Sequence, residues 1–358
     1  MKVLVGISGG VDSAVAAILL KQQGYEVIGA NMTIWGERLE KVKAINNIQG
    51  THGACLNANK EQDLVEAQKI CDKIGIPFHI VHCDEQFENI VMENFKQEYL
   101  DGRTPNPCIQ CNSKIKFGAF PELAKRQGIE FDKFATGHYA GINIDKNGRY
   151  SIKRGINPKR DQSYFLYKLT EAQLKDIILP LGEYTKEEIR EIAQANGLEV
   201  AQKPDSQDFY NGDYNDLLEV DEQIGNIVDE SGKVLGQHKG FWNYTIGQRK
   251  GLGVSSTQPL YVLELRKETN EVVLGPADKT MKDCILVTDT NILCEQLPKR
   301  CTAKIRSTQQ PTEVTLEQNG ENIIVKFDVM QKSIAIGQSA VFYDNDILLG
   351  GGIISQVF

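Results

Sequence analysis

The first 24 residues constrain the fold more than any other segment. A short β-branched run at residues 2–7 leads into the loop Ser8-Gly9-Gly10-Val11-Asp12-Ser13, and an Ala- and Leu-rich run follows up to Gly24. Glycines let a backbone approach an anion closely, and the first turn of a helix offers unpaired N–H groups. This order predicts a strand, a glycine loop and a helix of an α/β sheet, with an anion site at the loop. A plain strand-to-helix turn is the alternative interpretation.

The next 180 residues continue the alternation of strand and helix. Strand patterns occur at 25–35, 77–83 and 131–136, and helical patterns at 60–73, 85–100, 114–126, 171–178 and 186–196. Residues 36–59 read as an inserted loop, 101–112 as a second loop, and 149–153 as a hairpin strand. Such alternation builds a parallel sheet covered by helices.

The pattern changes after about residue 202. From residue 225 onward, short strand patterns are separated by Gly, Asn and Asp turns, which is typical of small β domains and barrels. A chain of 358 residues is also too long for one ordinary core. We therefore expect an α/β domain at 1–202, a β-rich middle domain at 203–277, and a C-terminal β-barrel at 278–358.

Composition limits where in the cell the protein is expected and which kinds of partner it can bind. No run approaches the ~20 apolar residues that cross a bilayer, the N-terminus has no signal-peptide pattern, and the eight cysteines are scattered. We expect a cytoplasmic protein with no membrane contact. The formal net charge of −8 argues against general adhesion to nucleic acid, so such binding would need local basic patches, for example Lys153-Arg154 and Lys159-Arg160.

The glycine loop matches neither GxxxxGK[ST], because it has no lysine, nor GxGxxG. It resembles the pyrophosphatase loop of the N-type ATP pyrophosphatases, which grips the β,γ-phosphates and cleaves ATP between its α and β positions. The resemblance implies contacts with ATP from Gly6, Ile7, Ser8, Gly9, Gly10, Val11, Asp12 and Ser13. Asp12 is a candidate for holding Mg²⁺ on the phosphates. Met32 would lie near the adenine, although ordinary core packing explains it equally well.

A second informative segment carries two cysteines. Arg103-Thr104-Pro105-Asn106-Pro107-Cys108-Ile109-Gln110-Cys111-Asn112 contains a C-x-x-C pair, and basic residues follow it. Such a pair can be a redox couple, half of a zinc site, or ligands of an iron–sulfur cluster. The chain has no second C-x-x-C, which disfavours zinc, and a purely structural thiol pair is a further alternative.

At this segment the chain resembles the tRNA-specific 2-thiouridylase family. The matching motifs run nearly end to end: SGGVDS, GRTPNPCIQCNSKIKFG, ATGHYA, DQSYFLYKLT, PLGEYTKEEIR, KPDSQDFY, YTIGQRKGLG and IGQSAVFYDNDILLGGGII. The resemblance implies an adenine nucleotide alpha-hydrolase-like domain and ATP-dependent 2-thiolation of the wobble uridine, position 34, of tRNA. The uridine would be adenylated first, and a sulfur-donor protein or sulfide would supply sulfur at a cysteine.

The resemblance also implies roles for individual residues. Cys111 would be the nucleophile beside the target base, and Gly137 would touch the nucleotide. The base would be lined by Asn106, Pro107 and Cys108, and the anticodon arm would be contacted by His138, Arg160, Asp161, Gln162, Arg306, Ser307 and Gln338.

Two positions depart from the family pattern. Members usually carry a second catalytic cysteine in the segment that ends here at Tyr210, and residues are missing before Gly212. Cys108 stands where the family often has an aspartate. Three explanations compete: Cys108 and Cys111 share the persulfide chemistry through a disulfide; both ligate an iron–sulfur cluster with Cys55 as a third ligand; or thiolation is altered or lost while tRNA and ATP still bind.

Two rival functions follow from the same residues. An ATP pyrophosphatase that ligates a small molecule would call for a glutaminase or oligomerisation segment, and neither pattern is present in the sequence. A tRNA-binding protein without turnover is favoured only by the missing second cysteine.

Overall fold

The computed structural model describes residues 1–34, 54–56, 60–202, 208–210 and 212–358. The helices, in chain order, are α1 (Val11–Gln22), α2 (Lys60–Ile74), α3 (Asp84–Phe87), α4 (Glu93–Leu100), α5 (Pro107–Gln110), α6 (Phe120–Arg126), α7 (Glu171–Lys175), α8 (Lys186–Ala195) and α9 (Asn215–Leu218). Wider π-helical turns occupy Glu88–Met92 and Cys111–Ala119, and 3-10 turns occupy Ser163–Leu166, Glu199–Gln202, Phe241–Asn243 and Ala277–Thr280.

The strands in the N-terminal half are β1 (Lys2–Gly6), β2 (Glu26–Thr33), β3 (Ala54–Leu56), β4 (Phe78–His82), β5 (Lys133–Ala135), β6 (Ala140–Ile144), β7 (Tyr150–Arg154), β8 (Ile177–Ile178) and β9 (Asp208–Tyr210). Those that follow are β10 (Gly225–Asp229), β11 (Val234–His238), β12 (Tyr261–Arg266), β13 (Glu271–Gly275), β14 (Met281–Ile292), β15 (Arg300–Lys304), β16 (Thr312–Asn319), β17 (Asn322–Lys332), β18 (Ser339–Asp344) and β19 (Ile347–Val357).

The chain forms two compact units. The first contains residues 1–91, 107–212 and 345–349, and the second contains 92–106, 213–344 and 350–358. The predicted boundaries at 202/203 and 277/278 stay a prediction.

A five-stranded parallel sheet organises the first unit, in the order β4-β2-β1-β5-β8. The strand order reverses between β1 and β5, and open α/β sheets bind ligands beyond the carboxyl ends of the strands at such a point. The loop after β1 and the turn after β5 therefore face each other at this edge. The N-terminal strand, loop and helix lie where the sequence predicts them.

Helix α1 forms the centre of the first core. Nine of its twelve residues are buried, because Ala, Val, Ile and Leu cover nearly its whole circumference. Residues of β1, α2 and α8 pack into the same cluster, including Val5, Ile70 and Ile189. Helix α8 begins with a capping box in which Thr185 and Glu188 bond each other's backbone N–H groups. This cap fixes the position of the residue that follows Thr185.

The second unit is built largely from strands, as predicted. A four-stranded sheet has the order β11-β10-β13-β12. Strands β14-β17-β16-β15-β18-β19 form a sheet that closes on itself through β14 and β19, which gives the six-stranded barrel. No helix within the described ranges is both long and apolar enough to cross a bilayer.

Three local predictions are wrong. Residues 101–112 are not all loop, because a helix begins at Pro107; proline suits the first helical position since its missing N–H would have no partner there. The helix predicted at 85–100 is interrupted by the π-helical turn Glu88–Met92. Residues 177–178 form a sheet strand rather than the end of a helix. Most of the inserted segment 36–59 lies outside the described residues.

Candidate active site

The glycine loop after β1 is held by its own serines. The backbone N–H of Ser8 donates to the Ser13 Oγ at 3.2 Å, and the Ser13 hydroxyl donates to the Gly10 carbonyl at 3.1 Å. Gly9 has a φ of +83°, and a Cβ there would lie 2.9 Å from the Asp63 carbonyl oxygen. Only glycine fits this conformation and this contact, so the loop can pack directly against the Asp63 backbone of α2.

The turn after β5 approaches this loop very closely. A Cβ on Gly137 would lie 2.7 Å from the Asp12 carbonyl carbon and 2.8 Å from the Ser13 nitrogen. Because both contacts are with backbone atoms, neither can move aside at low cost. The structure thus brings Gly137 and the Asp12–Ser13 part of the loop together at the switch point of the sheet. We call Gly9–Ser13 together with Gly137 the cradle; that it binds a phosphate group stays a prediction.

The other predicted ATP-binding residues share this edge. The Ile7 N–H donates to the Ala30 carbonyl, and the Asn31 side chain donates to the Ile7 carbonyl at 2.7 Å, which ties the end of β1 to β2. Met32 lies half-buried near the carboxyl end of β2. Gly6 ends β1, and a Cβ there would make only ordinary contacts, the nearest at 3.5 Å. Their contacts with ATP stay a prediction.

Asp12 makes two strong bonds that the sequence did not reveal. Its Oδ1 accepts from the Lys186 ammonium at 2.7 Å and from the Tyr139 hydroxyl at 2.6 Å. Lys186 is the first residue of α8, and its side chain is only 4% exposed. The lysine is 174 residues from Asp12, so no local motif could connect them.

These bonds bear on the magnesium expectation. An oxygen that already accepts from an ammonium and a phenol has little remaining capacity for a metal ion. Mg²⁺ is commonly bound by one or two carboxylates together with substrate phosphates and several waters. Asp12 Oδ1 is therefore committed to Lys186 and Tyr139, and the expectation that Asp12 holds Mg²⁺ would have to use its Oδ2 and stays a prediction.

Cys108 and Cys111 lie on one continuous helical segment that begins at Pro107 and continues into the π-helical turn at Cys111. Both are half-buried, and their thiols are reduced. Cys108 is the second residue of this helix, where the unpaired N–H groups of the first turn favour the negative charge of a thiolate, whereas Cys111 lies about one turn further along. The loop interpretation missed this placement.

The spacing of the two cysteines limits how they can pair. Side chains at i and i+3 on a helix have Cβ atoms about 5–6 Å apart, whereas a disulfide needs about 3.8 Å. A Cys108–Cys111 bond would therefore require a small adjustment of the first turn. A thiol pair that exchanges transiently fits this geometry better than a permanent structural disulfide.

Most other cysteines in the described parts of the chain are poor candidates for sulfur chemistry. Burial raises the pKa of the thiols of Cys71, Cys83 and Cys301 to about 12 in each case. The negative charges of Asp84 and Cys111 contribute further to the rise in the Cys83 pKa, which places Cys83 near Cys111. These three thiols stay protonated and behave as small apolar side chains.

Tyr210 occupies the position expected for a second cysteine. It is buried, and a Cβ on Gly212 would lie 2.4 Å from its ring, so the ring packs directly against Gly212. Its strand β9 pairs in parallel with β3, in the register Leu56↔Tyr210. Cys55 is therefore next to this position along the backbone, although its side chain lies outside the described residues. Among the side chains that are described, no group of three His, Cys, Asp or Glu could hold a metal ion or cluster.

The segment around residue 161 supports the turn after β5. Gln162 accepts from the Tyr139 N–H at 2.9 Å and donates its own N–H to the Tyr139 carbonyl. The Asp161 carboxylate is fully buried and accepts from the Arg154 Nε at 2.9 Å and from the N–H groups of Gly155 and Ser163. These bonds commit the carboxylate to its own loop, and a contact with tRNA from Asp161 would have to use other atoms. Arg160 is half-buried beside it.

Replacing Asp161 by asparagine should lower the free energy of unfolding by about 3 kcal/mol, because the half-buried Arg154 guanidinium and two N–H groups would lose their ionised, fully buried acceptor. Urea denaturation of Asp161→Asn measures the loss. Asp145→Asn is the matched control, since Asp145 also accepts two backbone N–H groups but in an exposed turn. Equal losses in both variants would contradict this role for Asp161.

His138 is held as a neutral ring. Its Nδ1 lies 2.7 Å from the Thr136 hydroxyl, and its ring centroid lies 5.6 Å from that of Phe117. Burial and, to a smaller extent, the nearby Lys116 charge together lower the pKa of His138 to about 3. At neutral pH the residue can therefore exchange hydrogen bonds with RNA but cannot pair as a cation with a phosphate.

This low pKa predicts a stability effect in mild acid. Below pH 6.5 the unfolded chain binds a proton on His138 that the folded chain does not bind until about pH 3. Stability is therefore lost as the pH falls through this window, by on the order of 1 kcal/mol per pH unit. Denaturation experiments between pH 7 and 5 should show that the free energy of unfolding changes less steeply with pH in His138→Gln than in the wild type. Burial also lowers the pKa of His238, which contributes to the pH dependence of both proteins, so the difference between the two slopes reports on His138. Identical slopes would contradict a lowered pKa for His138.

Three predicted tRNA contacts lie in the second unit. The Gln338 amide donates to the carbonyls of Thr104 and Pro105, both at 3.1 Å, so it fixes the segment that directly precedes Asn106. Arg306 is exposed and donates to the Ser333 carbonyl at 2.7 Å. It lines a cavity of about 510 Å³ together with Lys332 and residues 245–248. Ser307 follows Arg306 in the same turn.

Family models match three consecutive parts of the chain. A tRNA methyl transferase HUP domain matches residues 1–210, a tRNA methyl transferase PRC-barrel domain matches 217–276, and an aminomethyltransferase beta-barrel domain matches 282–354.

Curated relatives match over the whole length. The chain is 46% identical over 362 residues to a tRNA-specific 2-thiouridylase MnmA of Endomicrobium trichonymphae, covering 99% of each chain. It is 45% identical over 367 residues to a protein of the same name from Clostridium botulinum, covering 99% of this chain and 98% of the relative.

Solved structures are more distant. A 4-thiouridine synthetase in complex with RNA and ATP is 17% identical, with a TM-score of 0.34, over 57% of this chain and 42% of that chain. A similarity this low supports no functional comparison.

Proposed function

Since this chain belongs to the tRNA-specific 2-thiouridylase family, we propose that it replaces the O2 oxygen of the wobble uridine of tRNA with sulfur, at the expense of ATP. The observation that carries the proposal is the pairing of two sites in one compact unit. The glycine loop supplies an anion cradle at the switch point of the sheet, and the same unit carries Cys108 and Cys111 at the start of a helix.

The first step activates the base. In this proposal the loop backbone between Gly9 and Ser13 binds the β,γ-phosphates, and Gly137 lets the turn after β5 lie directly against the loop. The uridine O2 attacks the α-phosphate and the N3 proton leaves, while the bond to the β-phosphate breaks and pyrophosphate departs. The oxygen on C2 then belongs to AMP, which is a good leaving group.

The second step transfers sulfur. A donor protein leaves a persulfide on Cys111, and its terminal sulfur attacks C2 and expels AMP. The Cys108 thiolate then attacks the Cys111 sulfur, the S–S bond breaks, and its electron pair stays on the 2-thiouridine, which regains a proton at N3. The resulting Cys108–Cys111 disulfide must be reduced by an external thiol before the next cycle. This route requires no cysteine at position 210.

Recognition of the tRNA follows from the same geometry. A loop base must leave its stack to reach such a site, at a cost of about a few kcal/mol. We assign the anticodon arm to Arg160, Gln162 and neutral His138 in the first unit, and to Arg306 in the second. Phosphate contacts of this kind position an RNA without reading its sequence.

Exchange of labelled pyrophosphate into ATP tests the activation step. Exchange that depends on unmodified tRNA is expected for this enzyme. Binding of tRNA and ATP without any exchange would favour the rival reading, in which the substitution at Tyr210 has left a binding protein without turnover.

A further inference from the structure

We propose that Lys186 is the cation of the pyrophosphate site, recruited from α8 to supply the positive charge that the glycine loop does not contain. The assignment rests on the proposed function, because it names a further residue for the activation step. A lysine within the loop is how a P-loop reaches the terminal phosphates. In this chain the loop SGGVDS has none, and an ammonium arrives instead from a distant helix.

The location of the ammonium supports this role. Its Nζ lies 2.7 Å from Asp12 Oδ1, and Asp12 belongs to the first turn of α1, directly after the loop glycines. The capping box of Thr185 and Glu188 fixes the start of α8, so the lysine stem leaves a rigid position. The side chain is 4% exposed, whereas the Asp12 side chain is 27% exposed. Solvent therefore reaches the pair at Asp12, in the first turn of α1.

A purely structural ion pair is a weak explanation for these residues. Removing two charges from water costs about as much as their attraction returns, so a buried pair seldom adds net stability. Nothing in the packing of α1 against α8 requires a charge, because the surrounding cluster is apolar.

Tyr139 explains how the lysine can change partners. Its hydroxyl donates to the same Asp12 oxygen at 2.6 Å, and its ring lies under the ammonium at 5.8 Å. When phosphate oxygens enter the cradle, Lys186 can turn towards them while Tyr139 keeps Asp12 hydrogen-bonded. The ammonium then neutralises charge on the departing pyrophosphate in a partly buried site, which favours the transition state of activation.

The test compares binding of inorganic pyrophosphate with binding of AMP by titration calorimetry. In Lys186→Met, pyrophosphate affinity should fall about 10- to 100-fold, the range expected for losing a hydrogen bond between charged groups. AMP affinity should stay within about twofold, and Lys186→Arg should recover part of the loss. Lys21→Met is the control, because Lys21 bonds the carbonyls of Ile74 and Gly75 at the opposite end of α1.

Lys186→Met alone leaves Asp12 without its ammonium, so the double variant Asp12→Asn/Lys186→Met is measured beside it. If either folded variant binds pyrophosphate as tightly as the wild type, the pair is structural and the assignment is overturned. Neither titration needs tRNA or turnover. A pyrophosphate-specific loss without any tRNA thiolation would therefore support Lys186 while rejecting the thiolation proposal, and the reverse combination would reject Lys186 alone.

Discussion

Cys111→Ala is expected to reduce thiolation of tRNA about a thousandfold or more, while ATP and tRNA binding stay within about twofold. The expectation follows because Cys111 is the sulfur carrier in the proposed route and alanine cannot hold a persulfide. Cys111 is half-buried on a helix face rather than packed in a core, so its removal should cost little stability. Single-turnover assays that count 2-thiouridine per tRNA measure the effect.

Three further variants define what the result means. Cys108→Ala should leave the sulfur-bearing uridine attached to Cys111 in the first cycle, because the thiol that breaks this S–S bond is absent. Tyr210→Phe should keep activity, because the proposed route uses no group at position 210. Cys284→Ala is the matched control, a half-buried cysteine on β14 of the barrel. If Cys111→Ala retains a tenth of the wild-type activity, the sulfur passes through another group.

Gly137→Ala is expected to reduce ATP–pyrophosphate exchange by about a hundredfold or more. The new methyl group would lie within 2.9 Å of backbone atoms of Asp12 and Ser13, so the loop must shift to accommodate it. A displacement of about 1 Å of positioning groups can cost a hundredfold in rate. The free energy of unfolding should fall by about 1–3 kcal/mol from overpacking.

Gly141→Ala is the control for this variant. Gly141 lies on β6, and a Cβ there would meet only the Lys153 side chain at 3.6 Å, an ordinary contact. Exchange and stability should both stay near the wild-type values. Exchange at the wild-type rate in Gly137→Ala would mean that the nucleotide does not use this cradle.

The sequence predicted those features that depend on neighbouring residues. The β-branched run, two glycines and an Ala-rich segment are enough for β1, the loop and α1, because each signal is local and strong. The barrel followed from short strand patterns separated by frequent turns. The helix around Cys108 was misread because the two prolines near it suggested a loop, whereas Pro107 starts the helix.

The features that the sequence did not predict depend on distant residues. Lys186 and Tyr139 meet Asp12 across 174 and 127 residues, and only the packing of α8 and the turn after β5 brings them there. The contacts of Asp161 are an exception, because they are local: the resemblance implies a tRNA contact, which stays a prediction, and no sequence pattern indicated that Arg154 and two N–H groups enclose the carboxylate. A capping signal such as Thr185-x-x-Glu188 could have placed Lys186 at a helix start, but not beside the loop.

The most direct test of the central claim is mass spectrometry of unmodified tRNA incubated with the protein, ATP, a persulfide donor and a thiol reductant. We predict a gain of one sulfur in place of one oxygen at the wobble uridine, dependent on ATP and abolished in Cys111→Ala. No 2-thiouridine under any of these conditions, with ATP and tRNA still bound, would contradict the claim and leave a nucleotide-dependent tRNA-binding protein in its place.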